Sequence, residues 1–261
     1  MTLSICLLQS ELSWEDPASN REHFNKLLQG LPATDLVVLP EMFSTGFSMA
    51  SGRLAETMDG ATVSWMRDQA ASLKAVLCGS LIIEDRGQFY NRFIWMPASG
   101  EAQWYDKKHL FRMSAEHENY SAGSERLVVT LQGFRICPQI CYDLRFPVWS
   151  RNNNDYDLLL YVANWPAARR LHWRSLLRAR AIENQSYVIG LNRVGVDGVD
   201  GVDGSGHAYA GDSLVIDFNG VDLADLQDAI TVQQVTLDLA ALQAYRQSFP
   251  AWRDADAFTL E

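Results

Sequence analysis

The sequence predicts an α/β protein in which two packed, mixed β-sheets are covered by helices. Three observations carry this. Apolar runs rich in β-branched residues recur along the whole chain, segments of helical period lie between several of them, and some neighbouring runs are joined too tightly for a crossover helix.

The runs at residues 4–8, 36–39, 76–83, 89–96, 127–131, 134–140, 158–162, 187–191, 214–218 and 231–237 read as strands. Helical spacing of apolar side chains appears at Phe24, Leu27, Leu28 and Leu31, again at Val63, Met66, Ala70 and Leu73, and a third time at Trp173, Leu176, Leu177 and Ala181. The gaps from 83 to 89 and from 131 to 134 hold only a turn, so those strands pair antiparallel. Roughly ten strands are better housed in two packed sheets than in one wide sheet.

A chain of 261 residues with 48% hydrophobic content can bury a large core, and one domain spanning 1–261 is expected. No stretch approaches the ~20 apolar residues of a membrane helix. The start, MTLSICLLQSELSWED, lacks a basic leader and a small-residue cleavage site, so a soluble, unprocessed, cytoplasmic protein is expected. A formal charge of -10 argues against nucleic acid or an anionic membrane as partner and favours a small molecule. The four cysteines Cys6, Cys78, Cys137 and Cys141 do not form a secreted disulfide framework. Cys137 and Cys141 have no second Cys/His pair at metal-site spacing, so no zinc is expected.

Low complexity is confined to GVDGVDGVDG at 195–204, whose glycines and aspartates favour turns; it reads as a surface loop inserted in the domain. A calcium loop of the EF-hand kind would need a different spacing and a closing Glu.

Two polar residues stand where apolar strands end. Cys141 follows the run 134–140 and opens the segment YDLRFP, where backbone N–H groups at a turn would favour a thiolate and hold an oxyanion. Its alternative is a buried core cysteine, the reading that suits Cys6, Cys78 and Cys137. Glu41 follows LVVLP, and a carboxylate partly desolvated there can act as a general base; an exposed loop glutamate is its alternative. In WYDKKHLF, the adjacent Lys107 and Lys108 point to opposite faces of an extended segment, so one can face inward. None of His23, His109, His117, His172 and His207 has a local pattern that marks it as a cysteine's partner, although such partners need meet only in space.

Together, PEMF around Glu41, YDKKHLF around Lys107 and ICYDLRFP around Cys141 resemble the nitrilase superfamily, or carbon–nitrogen hydrolases, in the family's order. The resemblance continues through residues 115–123, ANWP at 163–166, HWRSLLRARAIENQ at 172–185, NRVG at 192–195 and GDS at 211–213. It implies an α-β-β-α sandwich, doubled into four layers in a homodimer. It also implies Glu41 as general base, Cys141 as nucleophile and Lys107, two before the histidine of the K-x-H-L-F pattern, as electrophilic partner. A second glutamate before the S-x-G turn maps to Glu116, with Glu118 close by.

The nearest branch is that of the omega-amidases, which hydrolyse the terminal amide of 2-oxo acids such as 2-oxoglutaramate. The GVD segment is expanded relative to the compact loop expected in that branch. The chemistry so implied needs no metal or organic cofactor: a Cys141 thioester forms and is hydrolysed, with the oxyanion held by Lys107 and the Tyr142 backbone N–H. A substrate carboxylate would need a cationic anchor, for which Arg145, Arg169 and Arg170 are candidates, with Asn164 and Trp165 beside it. Arg145 could instead pair with Asp143, and Trp165 could be core. Alternatives within the superfamily are a nitrilase proper, an N-carbamoyl amidase and a deaminated-glutathione amidase. Outside enzymology, the alternative is a binding protein on the same scaffold.

Overall fold

The computed structural model describes residues 1–98, 101–198, 206–257 and 259. In chain order the first half holds β1 (Thr2–Gln9), α1 (Pro17–Leu28), β2 (Leu36–Val38), α2 (Ser51–Leu54), α3 (Ala61–Leu73), β3 (Val76–Asp85), β4 (Gln88–Met96), β5 (Gln103–Asp106) and α4 (Glu116–Asn119). The second holds β6 (Val129–Leu131), β7 (Phe134–Ile140), β8 (Leu158–Val162), α5 (Arg170–Asn184), β9 (Tyr187–Leu191), β10 (Val194–Val196), β11 (Ala208–Ala210), β12 (Leu214–Ile216), β13 (Asp222–Asp225), β14 (Thr231–Asp238) and α6 (Leu239–Ser248).

The strands form two six-stranded sheets, in the orders β14-β1-β2-β3-β4-β5 and β13-β12-β9-β8-β7-β6, with β10 and β11 as a separate ribbon. Each sheet has a parallel trio at its centre, β1-β2-β3 in one and β7-β8-β9 in the other, flanked by antiparallel strands. The sheets are mixed, as the short connections required.

Strand alternation builds the layers. Leu3, Ile5 and Leu7 of β1, with Leu36 and Val38 of β2, face the second sheet in a core shared with Phe134 and Ile136. Their neighbours Cys6, Leu8 and Val37 point the other way, onto Phe24 and Leu28 of α1 and Val63, Met66 and Ala70 of α3. Trp173, Leu177 and Ala181 of α5 close the outer face of the second sheet. The result is an α-β-β-α sandwich. Asp16 caps α1 by accepting from Ser19 N, with Pro17 at the first helical position.

The structure adds β5, β10, β11, β13, α2, α4 and α6 to the elements expected from sequence, and it shortens the strand expected at 214–218. That strand stops at Ile216 because Asp217 N turns back to Val221 O. Of the GVD segment, 195–198 is described and begins within β10 rather than in a loop; 199–204 lies outside the described residues.

Candidate active site

Parallel strands deliver their carboxyl ends to one edge of the sandwich, where α/β sheets gather ligand-binding residues. Glu41 lies three residues beyond β2, Cys141 directly beyond β7 and Asn164 two beyond β8. Gly79 of β3 makes the first approach feasible, since a Cβ there would stand 2.9 Å from the Leu39 side chain. Gly123 serves the lysine segment in the same way: a Cβ would clash with the Asp106 carbonyl oxygen, while its N–H donates to Lys107 O at 2.9 Å.

Glu41, Lys107 and Glu116 meet in full burial. Lys107 Nζ donates to Glu41 Oε1 at 3.0 Å and to both oxygens of Glu116, at 2.9 and 3.0 Å. Asn91 of β4 donates to Glu41 Oε1 at 2.8 Å and is itself held by Ser80 Oγ at 2.8 Å. Asn164 N donates to Glu41 Oε2 at 2.7 Å, and its side-chain amide to Glu41 O at 2.7 Å. The Glu41 carboxylate is therefore held from three sides.

Of the two adjacent lysines, Lys107 is the inward one; Lys108 lies with its ammonium 5.4 Å from the Trp149 ring centre. Of the two neighbouring glutamates, Glu116 reaches the lysine, whereas the Glu118 side chain is 68% exposed. Burial alone would push the Lys107 ammonium down, but Glu116 and Glu41 hold it above its ordinary value. Burial raises Glu116, opposed by Lys107 and assisted by the charge of Glu41.

Cys141 occupies the left-handed region at φ +45°, where β7 gives way to a tight 3₁₀ turn over Cys141–Arg145. This backbone is costly for a non-glycine residue and presents the side chain at the strand end. Glu41 is the carboxylate whose charge bears most on the thiol. Burial, then the charge of Glu41, pushes the thiol well above its ordinary value, with Lys107 pulling the other way. The resting group is thus a thiol, not the thiolate expected at such a turn. Here desolvation and a neighbouring carboxylate outweigh the local backbone dipoles.

Lys107, Cys141 and Asn164 reach the wall of a cavity of about 610 Å³, together with Tyr142, Trp165, Arg145 and Arg169. Tyr142 packs edge-on against Phe111 and Phe146. Trp165 is both wall and core: it is 3% exposed, with Nε1 donating to Arg169 O. Arg145 lies 4.8 Å over the Trp165 ring and bonds His172 Nδ1 at 3.0 Å. It makes no pair with Asp143. Arg169 stands 5.4 Å over Phe111. Arg170 does not belong to this group, because its guanidinium pairs with Asp212 at 2.8 Å. Among the described residues, no group of three or more His, Cys, Asp and Glu side chains could hold a metal ion.

Comparison with known proteins identifies the family. The carbon–nitrogen hydrolase family pattern matches residues 3–247. The chain belongs to the carbon–nitrogen hydrolase family. As a carbon–nitrogen hydrolase it is 49% identical to the omega-amidase YafV of Escherichia coli (strain K12), over 99% of this chain and 98% of that one. It is 32% identical to the 2-oxoglutaramate amidase of Bacillus subtilis (strain 168), over 97% and 98%. The crystal structure of XC1258 from Xanthomonas campestris, a CN-hydrolase superfamily protein with an arsenic adduct in its active site, superposes with a TM-score of 0.95 at 47% identity over 100% of both chains.

Sequence reasoning missed several residues that this hydrolase places around the site. Asn91 and Ser80 are polar side chains in the strands β4 and β3, both fully buried. Ser80, a polar residue inside the apolar run 76–83, was the available signal; Asn91, beside Arg92, gave none. Tyr105, His109 and Asp143 form a second network behind Cys141.

Proposed function

We propose that the chain is a thiol-dependent omega-amidase, hydrolysing the terminal amide of a short 2-oxo dicarboxylic acid monoamide, 2-oxoglutaramate foremost, to the dicarboxylic acid and ammonia. One observation supports the chemistry above all: Glu41, fixed against the buried Lys107 ammonium, acts on the Cys141 thiol at the wall of a cavity.

In this reading Glu41 takes the Cys141 proton as sulfur adds to the amide carbon, so the thiolate exists only as the C–S bond forms. The tetrahedral oxyanion is held by Lys107 and the Tyr142 N–H. Its collapse breaks the C–N bond, and the proton on Glu41 leaves with ammonia. Water, deprotonated by Glu41, then attacks the thioester; the thiol returns and the acid departs. Glu116 keeps Lys107 charged and directed, and Asn164 holds the Glu41 carboxylate rather than the substrate.

The cavity's charge supports the substrate class. Its cationic wall residues are Lys107, Arg145 and Arg169, and no carboxylate partner of either arginine occurs among the described residues. The lining carboxylate Glu15 already bonds Arg53 and Ser48. Such a wall attracts a carboxylate and disfavours the ammonium of an amino acid. A homodimer and a cytoplasmic location belong to the same proposal. Exposed Leu171, Ile182 and Phe249 are apolar surface that a second copy would cover, and the four cysteines are free thiols.

The test is kcat/KM for 2-oxoglutaramate against glutamine, asparagine, an N-carbamoyl amine and a simple nitrile. A preference of at least about tenfold for the 2-oxo acid over glutamine is expected. Preference for the nitrile or carbamoyl compound would move the assignment elsewhere in the superfamily, and no turnover of any would favour a binding role.

A further inference from the structure

We propose that Asp143 is a positioning residue whose carboxylate locks the turn bearing Cys141 to the segment bearing Lys107; the proposal rests on the amidase reading. Asp143 is completely buried, and four donors converge on it. Oδ1 accepts from His109 N at 2.9 Å and His109 Nδ1 at 2.8 Å, while Oδ2 accepts from Tyr105 OH at 2.7 Å and Ile140 N at 3.0 Å.

The sequence positions of these partners give the network its meaning. Tyr105 and His109 stand two residues before and two after Lys107; Ile140 and Asp143 stand one before and two after Cys141. One carboxylate thus ties both flanks of the lysine to both flanks of the cysteine. The outer partners are constrained in turn. Tyr105 OH accepts from Lys108 N at 3.1 Å and Trp149 Nε1 at 3.0 Å, and the His109 ring stacks on Phe146 with centroids 3.8 Å apart.

A carboxylate suits this place. It offers two acceptor oxygens and no donor, whereas asparagine has one acceptor oxygen and an NH₂ that would face two donors. The asparagine variant must therefore abandon either the His109 pair or the Tyr105 and Ile140 pair. In either case the sulfur is released from its register with Lys107 and Glu41, while Trp165 and Arg169 of the cavity wall, carried on another segment, stay as they were.

The experiment measures kcat, KM and the iodoacetamide alkylation rate of Cys141 in Asp143→Asn and in the milder Tyr105→Phe. A misplacement of ~1 Å in a reacting group predicts a kcat lower by about 10- to 100-fold in Asp143→Asn, with KM within about threefold. Tyr105→Phe should lose several-fold in kcat with the same split, and the alkylation rate should change by more than about twofold in both. A folded Asp143→Asn with kcat and alkylation within about twofold of wild type overturns the proposal, as does a raised KM with kcat unchanged. If Asp143→Asn does not fold, an unchanged kcat in Tyr105→Phe overturns it. Should wild type turn over no amide, the amidase reading fails while the alkylation comparison still decides this one.

Discussion

The buried charge cluster and the cavity rim are built on opposite principles. In the cluster, Glu41, Lys107 and Glu116 have no solvent contact, and Lys107 bonds both carboxylates. At the rim, Arg145 and Arg169 are half-buried, lie over aromatic rings and bond no carboxylate among the described residues. Fixed charges hold a reaction geometry that hardly tolerates change, because removing one member strands the others in low dielectric. Arginines resting on rings remain free to meet an anion and can differ from one enzyme to the next without loss of the fold. On the proposed function, reaction type resides in the cluster and substrate choice at the rim.

The largest effects should follow from breaking the cluster. Cys141→Ala should abolish turnover, while Cys6→Ala, Cys78→Ala and Cys137→Ala act on stability alone. Glu41→Gln and Lys107→Ala should each lower kcat by about 10² or more, with Lys108→Ala mild. Steady-state kinetics on all seven variants checks this ranking. If Lys108 proved essential and Lys107 dispensable, the cluster would not be the reactive centre.

A pH profile of cysteine reactivity sharpens the same point. Burial and the charge of Glu41 hold the Cys141 thiol above its ordinary value, so the thiolate fraction is small at neutrality. Its alkylation rate should rise by about tenfold per pH unit and keep rising past ~8.5, where an unperturbed thiol begins to level off. A plateau already reached below pH 7 would mean a resting thiolate and reverse the sign assigned to its surroundings.

These contrasts explain what could be read in the sequence. Each of the ten expected strands is present because long β-branched runs need no partner to be recognised. β5 (QWYD), β10 (VGV), β11 (AYA) and β13 (DLAD) escaped notice because none contains an unbroken β-branched run like those of the equally short β2 (LVV) and β12 (LVI), and their pairing register holds them. α6, capped by Asp238, begins where β14 ends, so the strand pattern masked its start. In the site, Glu41, Lys107 and Cys141 lay within local motifs. Asn91 contacts Glu41 across 50 positions and Asp143 contacts Tyr105 across 38, separations at which no local pattern reports. Among the arginines, composition could not separate Arg169 from Arg170; only the fold shows Asp212 claiming the second.

Changes at the rim should be smaller and should alter specificity. Arg145→Ala should raise KM for 2-oxoglutaramate by about tenfold, as expected on losing a charge-assisted bond, and leave kcat nearly intact. A neutral short amide assayed beside it should show little change. Equal losses on both substrates would mean that Arg145 shapes the wall instead of binding a carboxylate.

The smallest effect is expected from removing one Gly-Val-Asp unit between 195 and 204. Asp197 belongs to the first unit and is buried against Arg193 Nη1 at 2.6 Å, and it accepts from Tyr209 OH of the cavity wall at 2.6 Å. Because the units are identical, deleting any one of them still leaves an aspartate at position 197, so the anchor survives. Loop-closure entropy varies only with the logarithm of length, so three residues fewer should change stability by a few tenths of a kcal/mol, about 2 °C or less in Tm. Turnover should stay within about twofold. Asp197→Ala takes the carboxylate from a buried guanidinium and should lower Tm far more. Thermal melts of the two variants decide between them: a large drop on unit deletion would mean that the repeat packs against another surface, a subunit interface included, and is not a spacer tethered at Asp197.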